Sequence, residues 1–330
     1  MADASGRTVR IGVLGAARIV KTALLVPSHA AEGVEVTAIA ARDRDRAAAY
    51  ASRRAIPRVH ASYRALLADP ELDAVYVPLP AALHAEWTIA AVDAGKHVLC
   101  EKPFTSNTAA AERVAAVAAA SDRVVMEAYH SHYHPLQRRL HEIVASGELG
   151  SITTARASFC VPLPPGRNIR WNLALGGGGL LDVGYYPVRQ LRELFGDDPS
   201  VAAARAWQRG EIDRLIEASL VFESGVHAAV VSSLWSRRLI GASLQVTGTH
   251  GRMHVSWPYH PQLRGRIRVH GRHGSRVERV NRRSTYVYQL EAFRDALRGG
   301  APVATDPAAA VTQMRTLDAI YQAAGMSARP

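Results

Sequence analysis

Cysteine is nearly absent from this chain. Its 330 residues hold two, Cys100 and Cys160, each inside an apolar strand-like run. Such usage excludes a disulfide framework and predicts two buried free thiols in a reducing compartment. Long hydrophobic runs are also missing, and nothing approaches the roughly 20 apolar residues that span a bilayer. Residues 1–8 are polar and lack the apolar core of a signal peptide. Together these absences predict a cytoplasmic protein without a membrane partner. No low-complexity linker and no internal repeat beyond a strand–helix alternation are visible. His130, His132 and His134 have no cysteine or acidic partner at ligand spacing, so no metal site is expected.

Positive charge is abundant, with a formal net charge of +11. Many arginines are scattered through Ala-rich helices, as in Asp43-Arg44-Asp45-Arg46 and Gln137-Arg138-Arg139. The densest cluster, 264–283, has Gly271 and Gly274 between alternating residues and reads as exposed hairpins. This distribution does not predict a nucleic-acid partner. An electropositive surface would still steer anionic ligands such as a phosphorylated cofactor or a nucleotide-sugar.

The length suffices for two domains with separate cores. Through residue 130, apolar strands alternate with helices. Strands are predicted over 9–14, 34–41, 73–78, 97–101 and 124–129. Helices are predicted over 18–30 (ended or bent by Pro27), 43–52 capped by Asp43, 63–68 capped by Ser62, 85–94 stopped by Gly95, and 108–120. Near-continuously apolar strands between helices imply a parallel sheet covered on both faces. After about residue 150, strand-like segments at 151–161, 217–223, 226–234, 243–248 and 251–257 follow one another through tight turns, which implies a largely antiparallel sheet. Two helices, 286–298 and 307–324, close the chain around Gly299-Gly300 and Pro302. The expected fold is an α/β Rossmann domain over 1–130 with a doubly wound sheet. An α+β domain with an open, mainly antiparallel sheet follows over 131–330, its last helices free to pack back on the first.

The first strand enters Gly15-Ala16-Ala17-Arg18-Ile19-Val20. Only one glycine of a full dinucleotide fingerprint is present, although backbone N–H groups at a helix N-terminus suffice to bind phosphate. The second strand ends Ala40-Ala41-Arg42-Asp43. A carboxylate there suits the ribose of NAD, and a cation suits the 2′-phosphate of NADP. Arg42 favours NADP, unless it is merely a solvated side chain beside a capping acid, and Asp43 leaves NAD open. Pro78-Leu79-Pro80-Ala81-Ala82-Leu83-His84 leaves the strand over 73–78 at the ligand-binding end of such a sheet. His84 either lies near a cofactor or caps the next helix. Glu101-Lys102-Pro103 puts a carboxylate and an amine at another strand end, with Pro103 restricting Lys102 to extended backbone. The run Gly176-Gly177-Gly178-Gly179-Leu180-Leu181-Asp182-Val183-Gly184-Tyr185-Tyr186 allows a sharp entry into a helix. Asp182 and Tyr186, four apart, would share a face of that helix.

Glu101-Lys102-Pro103 after four strand–helix units, followed by the glycine run, resembles the Gfo/Idh/MocA family of nicotinamide-dependent oxidoreductases over nearly the whole chain. The resemblance implies a cofactor site at Gly15, Ala16, Ala17, Arg18, Ile19, Ala41, Arg42, Asp43, Leu79, Pro80, His84, Glu101 and Lys102, with NADP preferred and NAD the alternative. It implies catalysis by Lys102, Tyr186 and Asp182. The ammonium would lower the phenol's ordinary pKa of about 10 and make a proton relay. Tyr186, where cyclitol-oxidising relatives carry histidine, is similar to the dihydrodiol and xylose dehydrogenases and deoxysugar 3-ketoreductases. Tyr129, His132, Arg170, Trp171 and Asn172 would line the substrate pocket, with Trp171 suited to a pyranose face. His132 stands where relatives often carry arginine.

The implied activity interconverts a secondary alcohol and a ketone on a sugar, polyol or nucleotide-sugar. A trans-dihydrodiol or aldose dehydrogenase of the same branch and a non-catalytic dinucleotide-binding regulator are the alternatives. Retention of both Lys102 and Tyr186 weighs against the regulator. The open sheet is expected to form a homodimer or homotetramer.

Overall fold

The computed structural model describes residues 6–196, 198–299 and 302–330. Residues 1–5 of the polar N-terminal stretch and Gly300 of the interhelical turn lie outside the described residues. The chain divides into two compact units. The first runs to Thr105 and includes Ala109–Tyr133 and Tyr286–Val311; the second holds Ser106–Thr108, His134–Thr285 and Thr312–Pro330.

In the first unit, β1 (Val9–Leu14), β2 (Val34–Ala40), β3 (Arg58–Val59), β4 (Ala74–Val77), β5 (His97–Glu101) and β6 (Val125–Ala128) pair in parallel in the order β3-β2-β1-β4-β5-β6. That is the doubly wound order of dinucleotide-binding sheets, whose direction reverses beside β1. A π-helical turn, Lys21–Leu25, runs into the short α1 (Val26–Ser28). Pro27 has no N–H to give, and its carbonyl accepts from Ala30 and Ala31 at 2.9 and 3.0 Å. The predicted helix over 18–30 is therefore shorter and wider than an ideal one. Asp43 accepts the Arg46 N–H at 3.0 Å and starts α2 (Arg44–Arg54). Ser62 does the same for Ala65 at 3.1 Å and starts α3 (Tyr63–Leu67). Gly95, at φ +73°, follows α4 (His84–Asp93) in the left-handed conformation that favours glycine.

After α5 (Thr108–Ala119) and α6 (Pro135–Ala145), the second unit builds an eight-stranded sheet. Its strands are β7 (Ile152–Cys160), β8 (Ser200–Arg209), β9 (Ile212–Val221), β10 (His227–Ser233), β11 (Gly241–Gly248), β12 (Gly251–Ser256), β13 (Arg266–Gly271) and β14 (Gly274–Arg279). Their order is β14-β13-β12-β11-β7-β10-β9-β8, antiparallel except where β7 meets β10. The edge strand β8 was not legible in the sequence, because its Ala-rich run has little of the β-branched alternation that marks a strand. One face of this sheet is covered by α7 (Tyr185–Phe195), which packs on β7 and β10. The opposite face carries the exposed Arg156, Arg252, Arg266 and Arg268, with Arg266 directly opposite Arg279. After α8 (Pro261–Arg264), α9 (Thr285–Leu297) contributes Tyr286, Val287, Leu290 and Phe293 to the apolar core of the first unit. α10 (Pro307–Ala323) closes the chain. Among the described residues, no helix is long and apolar enough to cross a membrane.

Candidate active site

The first unit gathers its expected site residues at the C-terminal ends of its strands. Gly15 leaves β1 at φ +109° and donates its N–H to Ala40 O at 2.7 Å. A Cβ there would lie 3.0 Å from Leu79 Cδ2, a tight contact that leucine can relieve, so it is the conformation that calls for glycine. Ala16 is buried, Ala17 and Ile19 are half-buried, and Arg18 is exposed. The Arg46 guanidinium reaches back to Ala16 O at 3.0 Å and ties α2 to the turn. At the end of β2, Ala41 is buried while Arg42 and Asp43 face solvent. The Asp43 carboxylate serves the cap of α2, leaving Arg42 as the exposed cation of the pair. A glycine turn at positive φ, an adjoining helical segment and a cation at the next strand end fit an anionic dinucleotide.

His84 does not cap through its side chain. It is buried, with Nδ1 2.8 Å from Pro103 O and Nε2 2.7 Å from Leu79 O. The imidazole thus bridges the Leu79-Pro80 turn and the loop that follows Lys102. Burial lowers its pKa, and the Lys102 ammonium acts in the same direction, against the pull of the carbonyls. Glu101 ends β5 nearly buried and accepts the Tyr76 hydroxyl at 2.6 Å. Burial and that carboxylate raise Tyr76 well above the usual phenol range. The Lys102 N–H lies 3.2 Å from Glu101 Oε2, and the Lys102-Pro103 peptide is cis. Tyr129 is fully buried after β6, and the half-buried His132 packs its ring against Tyr133 at 5.0 Å. Of the neighbouring histidines, His130 packs on Tyr286 at 4.1 Å and His134 caps α6.

The second unit assembles the remainder. Asn168 caps a short turn, Ile169–Trp171, by accepting the Arg170 N–H at 3.1 Å. The Arg170 guanidinium then binds the Asp182 carboxylate. Asn172 O accepts the Gly177 N–H at 2.9 Å, and a Cβ on Gly177 would lie 2.6 Å from that oxygen. The glycine run therefore folds tightly against 170–172 before entering a π-helical turn, Leu180–Gly184, continuous with α7. Asp182 and Tyr186 are consequently separated by a π turn and not by the ideal α-helical spacing the sequence implies. Tyr186 is 4% exposed. Its ring lies among Phe159 at 5.5 Å, Tyr259 at 5.4 Å and His260 at 6.0 Å. A cavity of about 680 Å³ borders this loop, lined by Arg167, Asn168, Trp171, Asn172 and Arg209 among others. Lys102, Asp182 and Tyr186 are not among its lining residues.

Sequence reasoning missed the bridge made by His84, the Tyr76–Glu101 contact and the aromatic setting of Tyr186. It also missed Asp213, whose buried carboxylate accepts the Leu180 N–H at 2.6 Å. None of these has a local signal, since each partner lies far away in sequence or is a backbone atom.

Comparison with known proteins agrees with this architecture. The family model described as "Oxidoreductase family, NAD-binding Rossmann fold" matches residues 9–129, and the "GFO/IDH/MocA C-terminal domain" matches 137–254. The chain is 37% identical over 318 residues to D-xylose 1-dehydrogenase (NADP(+)) 2 of Haloferax volcanii, covering 95% of this chain and 96% of that protein. It is 34% identical over 301 residues to a dTDP-3,4-didehydro-2,6-dideoxy-alpha-D-glucose 3-reductase of Actinomadura kijaniata, covering 90% of each. The crystal structure of a 3-ketoreductase from Actinomadura kijaniata, in complex with NADP and TDP-benzene, superposes with a TM-score of 0.89 at 30% identity. It covers 96% of this chain and 98% of that one. The same 3-ketoreductase has been solved as a lysine-to-alanine and a tyrosine-to-phenylalanine variant. With both of its domains matched and relatives of this identity aligned over nearly its full length, the chain belongs to the Gfo/Idh/MocA family and is an oxidoreductase with an NAD-binding Rossmann fold.

Proposed function

We propose that this oxidoreductase interconverts a secondary alcohol and a ketone on a sugar, polyol or nucleotide-sugar. NADP is its preferred hydride carrier and NAD the alternative. Residues 1–130 serve as the dinucleotide-binding domain and 131–330 as the substrate domain. The observation that carries this reading is the position of Lys102. It follows Glu101 at the C-terminal end of β5, in a sheet whose β1 opens into the Gly15 turn.

In the oxidative direction the substrate carbon gives up a hydride and its hydroxyl gives up a proton; reduction returns both. The bound dinucleotide supplies the hydride exchange. Backbone amides at Ala16, Ala17, Arg18 and Ile19 receive its pyrophosphate, and Arg42 pairs with the 2′-phosphate. His84 acts through Leu79 and Pro103, holding both loops in register. Tyr186 exchanges the hydroxyl proton, the Lys102 ammonium favours its phenolate, and Asp182, held by Arg170, orients the sugar. His132 completes the wall, while Trp171 and Asn172 contact the sugar body; Tyr129, expected at the wall, is fully buried behind it.

The relatives support the substrate class, since their names specify D-xylose with NADP(+) and a dTDP-deoxysugar. A second reading, an aldose dehydrogenase, is favoured by the 37% identity to the xylose enzyme.

The test is nicotinamide absorbance across D-xylose, other aldoses and polyols, and a dTDP-3-ketosugar. With the best substrate, Lys102→Met and Tyr186→Phe should each lower kcat by roughly two to four orders of magnitude. The double variant should lose much less than the product of the two effects. Normal turnover by Tyr186→Phe would remove the relay and make His132 or His130 the next candidate.

A further inference from the structure

The helical segment that carries Asp182 and Tyr186 has no cap of its own. Gly179 precedes it and offers no side chain. The acceptor for its first N–H comes instead from across the second unit, from Asp213 on β9. That side chain is 0% exposed, and Oδ2 lies 2.6 Å from the Leu180 nitrogen. Its other oxygen, Oδ1, accepts from Arg329 Nη2 at 2.7 Å and from the Tyr321 hydroxyl of α10 at 3.1 Å.

Arg329 is equally engaged. Its guanidinium stacks 4.2 Å from the centre of the Tyr321 ring and donates to Glu211 O at 3.2 Å. Its own carbonyl accepts from Asn107 Nδ2 at 2.8 Å. The glycine run fits this group closely. A Cβ on Gly178 would lie 2.5 Å from Asp213 Oδ1 and 2.6 Å from the Tyr321 hydroxyl. Burying an ion pair contributes little net stability, because desolvation offsets the attraction. What such a pair does supply is register: the carboxylate has one place to sit, and the first turn of the segment is bonded to it.

We propose that Asp213 and Arg329 are positioning residues for the reaction, fixing from the sheet and the C-terminal segment where the helical segment bearing Asp182 and Tyr186 begins. The proposal rests on the catalytic reading of Tyr186. Removing the cation leaves an unpaired buried carboxylate that must move or take up water, and the segment moves with it. Removing both charges spares the segment that displacement.

Arg329→Met should lower kcat at least tenfold on the sugar turned over fastest in the panel above, with KM for NADPH within about twofold of the wild type. Asp213→Asn/Arg329→Met should recover to within about threefold of wild-type kcat, a rescue that general loosening of the fold would not give. Arg329→Lys keeps the charge but not the two-ended fork. It carries the same test if the Met variant does not fold, with an expected loss of several-fold in kcat alone. A folded Arg329→Met or Arg329→Lys enzyme with wild-type kcat overturns the proposal, as does a double variant no better than Arg329→Met. Full activity of Tyr186→Phe in the same assay would instead overturn the catalytic reading beneath it.

Discussion

Arg42 stands where β2 ends, exposed, while its neighbour Asp43 is turned to the cap of α2. A 2′-phosphate bound there meets a guanidinium able to form charge-assisted hydrogen bonds. Arg42→Ala should therefore weaken NADPH by about 1.5–3 kcal/mol, or about tenfold to 150-fold, and leave NADH nearly unchanged. Fluorescence titration of both nucleotides measures this, and equal losses for the two would take Arg42 out of the site. The placement of Arg42 at the end of β2 was legible in sequence because the strand end and the capping acid are both local features. His84 was legible only as a candidate. Its partners are carbonyls of Leu79 and Pro103, and backbone oxygens leave no mark in the sequence.

At the scale of an element, α6 begins at a titratable cap. His134 Nδ1 accepts the Leu136 N–H at 3.0 Å, so Nε2 carries the proton toward Asn281 O at 3.1 Å. Burial lowers the pKa of this imidazole to about 4. The unfolded chain takes up the proton near pH 6.5, whereas the folded one resists it down to about 4. Its contribution to stability is complete above about pH 6.5 and falls as pH drops toward 4. At pH 5 the loss reaches at most about 2 kcal/mol for this one group. His134→Asn keeps a capping acceptor that does not titrate. The urea midpoint of that variant should fall less between pH 7.5 and pH 5 than the wild type's. An unchanged fall would shift the effect to His97, whose pKa burial also lowers to about 4.

For the whole molecule, the eight-stranded sheet is the face through which the sequence leads one to expect copies of the chain to meet. The sequence implies self-association through this sheet, and its open face carries Arg252, Arg266, Arg268 and Arg279 over β12 to β14. Arg268 lies opposite His254, and Arg266 opposite Arg279. Arg266 and Arg279 repel in this register unless anions screen them. A homodimer or homotetramer formed through this face should therefore tighten as salt rises from about 0.05 to 0.5 M, over which the Debye length falls severalfold. Light scattering across that range reads the mass directly. A monomer at every salt concentration would assign the face to solvent, and weakening with salt would point to pairing of opposite charges.

Local physics fixed most of the order of strands and helices in the first unit; the two-residue β3, paired only to β2, had no signal of its own. Continuous apolar strands, Asp43 and Ser62 as caps and Gly95 as a stop each act within a few residues. The positions of Gly15, Arg42 and Lys102 at strand ends follow from that order once the sheet is parallel. Residues distant in sequence gave the rest. The Ala-rich β8 becomes a strand only because β9 offers it an edge. The turn that carries Asp182 is shaped by Arg170, by the backbone of Asn172 and by an ion pair 116 residues long in sequence between Asp213 and Arg329. A sequence pattern encodes which side chains are present and how they alternate. Which buried carboxylate meets which distant helix start is decided only when the chain closes on itself and every buried polar group must find a partner.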